Sequence, residues 1–483
     1  MSAGASVASA LRKLSPLTLW IAVLAGLTSA LVVLFLKTPR GIVGYDFLAF
    51  WCGARAVLAG ANPYVTAPLH ACEVANAPAL FLNFPNLTVP APLPPYALAL
   101  FGPLSYLPFV VARALWWLLL VACVLMEARL IQRLTKRSYA FGFAACGLAL
   151  TGPVIVQGAL APLPIVLLTA GALALQNARW WRGSALVAAA MIEPHMALPA
   201  ALAVFFFLPR TRLPLATFGF VAGALAFLAV GPQIFVSYFT AVLPVHALSE
   251  LDNLGQDSLT ALLHHLGVAD ALALHAGSAQ YAFVVVLAIV VAGRLARREH
   301  DTAWLVLLPA AFAMIGGEFV HLSEIAMAIP LAAVLAVRKG GSAWFALAFL
   351  AVPGEAAIND SIFALPAALF TALLLREVRV PTLRVVAATV VVAGFALIAH
   401  VFAVQQVGVA LHALADPGDA SLSSISWGEW NRLSYIGPAW WIQKAFTLVP
   451  LVLLAWATLD YARSPRPAEL PTRRSSAAPL ASI

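Results

Sequence analysis

The sequence predicts an all-α polytopic membrane protein, and three observations carry that prediction. Apolar residues make up 63% of the 483-residue chain and charged residues 10%. The mean hydropathy is +0.94. The basic residues fall in short clusters between long apolar runs. A soluble domain carries about 25% charged and about 45–50% apolar residues. An apolar run of about 20 residues crosses a hydrocarbon core about 30 Å thick, and a helix satisfies its own backbone groups there.

The elements follow in order. Residues 16–36 are long enough for a first span, and no small-residue cleavage site precedes a soluble body, so the span is expected to be retained. Basic clusters at 12–13, 129–137, 179–182, 210–212, 294–298, 338–339, 376–384 and 463–474 hold 22 of the 28 Lys and Arg residues. Placing all of them on the cytoplasmic side obeys the positive-inside rule. The chain then threads without contradiction. Both termini are cytoplasmic, and 37–93, 236–278, 316–323, 353–360 and 405–438 lie on the outer face. Residues 94–133 exceed one straight span, so a short broken helix should precede it. Residues 180–212 have basic ends around Glu193-Pro194-His195, which predicts a re-entrant hairpin. The total is 12–14 membrane segments in one domain, 1–461, followed by a Ser/Pro/Arg-rich tail, 462–483, expected to be disordered. The net charge of +8 is therefore a matter of topology, and no nucleic-acid partner is expected.

Cys52 and Cys72 share the first outer segment, where oxidation can join them, but their spacing does not require a bond. Cys123 and Cys146 lie in spans as small core residues. His264 and His265 are adjacent, diverge by about 100° on a helix and make a poor chelate. Neither a metal nor another cofactor is expected. The absence of a glycine-rich phosphate loop argues against nucleotide-driven transport.

Asp46 stands directly after the first span, in Gly44-Tyr45-Asp46-Phe47-Leu48-Ala49-Phe50-Trp51. A carboxylate there can take a hydroxyl proton from a substrate held at the bilayer surface. A helix N-cap is the plain alternative, and the two roles can coexist. His321 has Glu318 and Glu324 three residues before and after it; on one helix face they would form either a catalytic or a mutually satisfied cluster. Glu193 and His195 are costly inside a membrane hairpin unless functional or paired. Gln256, in the central loop, is a substrate-contact candidate. Arg55 falls half a turn out of phase with Asp46, which suits headgroups or scaffold better than the same substrate atom. Arg432 sits in an aromatic patch, 427–432, and Lys444 at the edge of the last span. Each is either a snorkelling cation or a phosphate contact. Tyr45, Tyr64 and Tyr96 can stack on a ligand ring or border a lipid path.

Three motifs carry a resemblance. The first runs from Asp46 to Trp51, through Ala54-Arg55-Ala56-Val57-Leu58-Ala59-Gly60, to Asn62-Pro63-Tyr64. The second is Pro94-Pro95-Tyr96 followed by Leu100-Phe101-Gly102-Pro103-Leu104 and Leu107-Pro108. The third is His321 ahead of an apolar helix that ends at Pro330. Together they resemble glycosyltransferase family 87, membrane enzymes of the GT-C architecture that include polyprenol-phosphate-mannose-dependent mannosyltransferases. The resemblance implies a GT-C-like fold and an inverting transfer of a hexose, mannose first, from a polyprenyl-phosphate donor to a glycolipid or glycan acceptor. It places that reaction on the periplasmic face of a bacterial inner membrane. Asp46 would be the general base, and His321, Arg432, Lys444, His195 and Arg55 would face the donor phosphate. Two departures stand out: Gln157-Gly158 replaces the family's Gly-Gln, and Glu193-Pro194 stands where relatives carry Lys-Pro. The second removes a cation. The rival class is a transporter or lipid flippase, which predicts an internal inverted repeat; none is visible. A non-catalytic assembly protein would need Asp46 only for folding.

Overall fold

In the computed structural model the described residues are 44–81, 84–353, 364–377, 408–409, 414–435 and 438–464, with isolated positions between 381 and 394. The first apolar run at 16–36, both termini, residues 354–360 of one expected outer segment and the tail beyond 464 lie outside them.

The architecture is all-α, as the composition predicts; the exception is a two-residue antiparallel pair, Gly408–Val409 with Ser434–Tyr435. Among the described residues, four helices are long and apolar enough to cross a membrane: Phe109–Thr135, Pro209–Ser249, Asp270–Glu299 and Trp440–Arg463. Five shorter apolar helices accompany them. In chain order, the elements that build the site are α1 (Tyr45–Leu58), α2 (Thr66–Asn76), α3 (Phe109–Thr135), α4 (Trp180–Ala189), α5 (Pro194–Phe207) and α6 (Arg212–Ser237). They continue with α7 (Leu259–His265), α8 (Asp270–Glu299), α9 (Leu322–Ile325), α10 (Ser424–Arg432) and α11 (Pro438–Arg463).

Prolines set two of the breaks. A short helix at Pro95–Leu100 and a turn at Gly102–Ser105 precede α3, which starts after Pro108, so the expected broken helix is present. At Glu193 the chain leaves helical geometry (φ −119°, ψ 87°), between α4 with its 3₁₀ extension and α5, whose first residue is Pro194. Proline is tolerated in the first turn because its missing N–H has no intrahelical acceptor to lose.

Two apolar cores result. One joins the shorter central helices around Phe141, Trp304 and Phe312. The other packs α1 against the start of α3. There the Phe47 ring stacks on Trp116 at 5.3 Å and on Phe109 at 6.1 Å. Trp116 Nε1–H donates to Gly158 O at 2.9 Å, and Gly44 N–H donates to Val156 O at 2.8 Å. Gly158 has φ +73°, and a Cβ there would lie 3.1 Å from Phe47 Cβ and 3.3 Å from Gly44 Cα. Glycine is required because the chain both enters the left-handed region and presses on α1. A disulfide between Cys52 and Cys72 ties α1 to α2, settling what the spacing left open.

Candidate active site

Asp46 lies in the first turn of α1. The N-cap reading is corrected: Gly44, at φ +85°, holds the cap position, and no side chain caps this helix. Glycine takes that backbone conformation without strain, which leaves the Asp46 carboxylate outside the capping role. Among the described residues it makes no hydrogen bond, and it lines a chamber of about 1440 Å³. Tyr45, Tyr96, Glu193, His195, Glu318 and His321 line the same chamber.

The expected helical trio of Glu318, His321 and Glu324 is also corrected. Helix α9 begins only at Leu322, and His321 caps it in extended conformation (φ −95°, ψ 157°). Glu318 therefore precedes the helix and accepts a hydrogen bond from Ser278 on α8 instead. Glu324 closes a capping box, accepting from His321 N–H at 2.9 Å. Its carboxylate also meets the imidazole, with Nδ1 at 3.4 Å.

The other face of His321 was not legible in the sequence. Its Nε2 lies 3.2 Å from Glu250 Oε2. Glu250 is buried and also accepts from Asn253 Nδ2 at 2.6 Å, Gln256 Nε2 at 2.9 Å and Trp427 Nε1 at 2.6 Å. His246 Nε2 approaches it at 3.7 Å. Gln256 is itself buried, and its Oε1 accepts from Val320 N–H at 2.7 Å, so it holds the segment before His321. On the far side of Glu324, His195 Nε2 lies at 3.2 Å, and His195 Nδ1 is 3.4 Å from Glu193. The result is an alternating row of carboxylates and imidazoles: Glu193, His195, Glu324, His321, Glu250.

This row sets the charges. Burial disfavours the charged form of His321, but its hydrogen bonds to Glu250 and Glu324 and their charges prevail and raise it well above its ordinary value. Burial likewise opposes ionisation of Glu250, yet the hydrogen bond and charge of His321, with His246 and Gln256, hold it down at about 2. Glu324 is held low by His195 and His321, against its burial. Asp46 moves the other way. Burial raises it to about 7, the charge of His321 opposes, and Glu250 and Glu324 add to the rise. A carboxylate poised near neutrality thus faces the same chamber as an imidazole held toward its charged form.

Five sequence candidates lie off the chamber wall, and Gln256 is one of them: it is buried behind Glu250 and His321 rather than open to a substrate. Tyr64 is buried and donates to Leu93 O at 2.8 Å. Lys444 is buried, with Nζ 3.1 Å from Asp257 Oδ1. Arg55 is exposed, with its guanidinium 4.9 Å over the Trp51 ring. Arg432 is exposed and 3.7 Å from Asp252. Tyr96 lines the chamber while its hydroxyl donates to Met191 O at 2.5 Å. Among the described residues no Lys or Arg lines the chamber, so its positive charge rests on histidines. Glu193, His195 and Glu324 place three ligand atoms within 4.8 Å of one another and could hold a divalent ion. His264 and His265 also depart from the expected divergence: at the end of the short helix α7 their ring centroids are 5.1 Å apart, edge to face.

A polytopic helical fold around a chamber that gathers a carboxylate and a half-buried imidazole is an arrangement suited to a membrane-embedded group-transfer enzyme. The comparisons name its class: residues 93–316 match the model of glycosyltransferase family 87, and the chain is a membrane glycosyltransferase resembling that family. The match covers the Pro94–Pro108 motif and Glu250; it begins after Asp46 and ends before His321. The chain is also 26% identical over 303 residues to the polyprenol-phosphate-mannose-dependent alpha-(1-2)-phosphatidylinositol pentamannoside mannosyltransferase of Mycolicibacterium smegmatis, covering 56% of this chain and 68% of that protein. No solved structure matches.

Proposed function

We propose that this protein transfers a hexose, mannose first, from a polyprenyl-phosphate donor to a glycolipid or glycan acceptor, with inversion. The reaction is assigned to the periplasmic face of a bacterial inner membrane. The observation that carries the reading is the shared chamber of Asp46 and His321, one poised to accept a proton and the other held cationic.

In the proposed step the acceptor hydroxyl oxygen attacks the anomeric carbon as its proton passes to Asp46. The bond from that carbon to the phosphate oxygen breaks, and the polyprenyl phosphate leaves with the electron pair. A base near neutral pH combines the right protonation state with adequate proton affinity. The leaving phosphate gains charge, and fixed positive charge near it lowers the barrier. His321 and His195 are assigned that task through their charge, since both ring nitrogens of each face carboxylates. Lys444, Arg432 and Arg55, held at Asp257, Asp252 and Trp51 outside the chamber, take no part in this step.

The apolar wall suits the lipid. Leu198 and Phe205 of α5 and Phe218 and Ala222 of α6 line the chamber, while Phe220 and Leu228 of α6 are 77% and 79% exposed on its outer side. One helix therefore separates the chamber from the surroundings, a short path for a polyprenyl tail. The relative's name supports the same donor.

The test incubates purified protein with labelled polyprenyl-phosphate mannose and a lipid extract, comparing wild type with a folded Asp46→Asn variant. Transfer by wild type alone is expected. Equal transfer by both removes Asp46 from the chemistry, and no transfer by either with several lipid-linked sugars overturns the reading.

A further inference from the structure

Away from the chamber, α7 ends beside the turn that follows Glu250. His264 Nδ1 lies 2.9 Å from Asp270 Oδ1, at the start of α8. On the other side of the ring, His264 Nε2 lies 3.0 Å from Asp252 Oδ1. His265 Nε2 is a buried atom with no hydrogen-bond partner among the described residues. One ligand atom from each of Asp252, His264 and His265 falls within 4.8 Å of the others.

The geometry points to a divalent-cation site, zinc in the first place, formed by Asp252, His264 and His265, with Asp270 behind His264. A carboxylate that accepts the Nδ1 proton fixes the tautomer and leaves Nε2 as a lone pair, the usual arrangement behind a metal-bound histidine. That lone pair would then face the Asp252 oxygen, acceptor against acceptor. A second proton on His264 would relieve this contact but leave His265 Nε2 unsatisfied. A cation between the three atoms satisfies all of them. Zinc bonds of about 2.0–2.2 Å to nitrogen and oxygen place tetrahedral ligand atoms about 3.4 Å apart. The Asp252 to His264 pair, at 3.0 Å, has only to open by a few tenths of an ångström, and a small rotation brings in His265, whose ring stands edge-on to Trp440 at 4.7 Å. Two imidazoles and a carboxylate form a donor set that zinc prefers over magnesium or calcium. The side chains of Asp252 and His264 are 30% and 21% exposed, so an ion has a way in and water can complete the shell. Arg432, 3.7 Å from the other Asp252 oxygen, stays on the far side of that carboxylate.

The consequence is structural. Asp252 belongs to the turn in which Glu250 accepts from Asn253 and Gln256. An ion there ties α7 to the turn that presents Glu250 to His321, with no contact to substrate.

The test uses full-length protein without a polyhistidine tag, stripped with a chelator and titrated with Zn²⁺ in competition with a chromophoric zinc indicator. One tight site per chain is expected. His265→Gln and Asp252→Asn should each weaken it at least tenfold, and Asp270→Asn about 10- to 100-fold. Co²⁺ gives a second readout: the visible bands of a four-coordinate ion should appear in wild type and vanish in His265→Gln. Absence of stoichiometric Zn²⁺ binding overturns the inference, as does unchanged binding in His265→Gln and Asp252→Asn.

Discussion

His321 Nε2 stands 3.2 Å from the carboxylate of Glu250, 71 residues earlier in the chain, and that contact keeps the imidazole charged. Glu250 is 2% exposed and carries several further donors, so it stays anionic and has little freedom to relax. An ion pair of this kind, held in a buried network, acts on transition-state charge more strongly than a surface pair would.

Glu250 acts through His321, so it is a positioning residue. Glu250→Gln should lower kcat/KM for transfer by about 10²-fold, the size of losing one preorganised electrostatic contact. Glu250→Asp should recover part of that loss. Steady-state kinetics with labelled donor, beside a thermal melt of each variant, separates this from misfolding. Full activity in Glu250→Gln would refute it.

In its proposed role as the base, Asp46 gives transfer a defined pH dependence. The base works only when ionised, so the rate should rise with pH through about 7 and fall about tenfold per unit well below it. The groups that set this point are His321, Glu250 and Glu324, with Tyr45 beside it on α1. A pH profile of kcat/KM checks the position of the acidic limb. Stability should run the opposite way. A carboxyl raised on folding favours the folded state below its unfolded value, and that contribution is lost as pH rises through the folded value. Asp46→Asn should therefore melt higher than wild type at pH 8, with the difference shrinking toward pH 5.

Gly158 should tolerate no side chain. Gly158→Val puts a branched residue at φ +73°, against Phe47 and Gly44, which costs about 1–2 kcal/mol for the backbone alone. Because α1 then shifts, transfer should fall more steeply than donor binding. A melting curve, donor KM and kcat measured together show whether the two effects separate.

The Cys52–Cys72 bond closes a 20-residue separation. Its loss through Cys72→Ser should cost about 3 kcal/mol in the chain-entropy account. The variant should melt lower than the oxidised wild type and near the reduced wild type. Identical melting with and without reductant would remove the bond from the stability of this segment.

Much of the architecture was legible because it is written locally. Charge spacing and apolar run length announce helices that cross a membrane, and Pro94-Pro95 and Pro194 mark breaks that the structure contains. Asp46 was legible as an acid at the start of a helix, although its capping role was not, since Gly44 takes that position. His321 was legible as a polar residue ahead of an apolar helix. Glu250 was missed. The available signal was its own rarity: it is one of only 20 acidic residues in a chain with few places to hydrate them.

What the sequence determined by itself is the membrane class, the long apolar helices and an acid at the start of a helix, because each follows from a continuous stretch of side chains meeting lipid or water. Only the tertiary structure decided which loops meet. Glu250 receives Trp427 from 177 residues away and His321 from 71, and no periodicity records such pairs. The charge on His321 and the poise of Asp46 depend on that meeting, because burial and neighbouring charge act through space rather than along the chain.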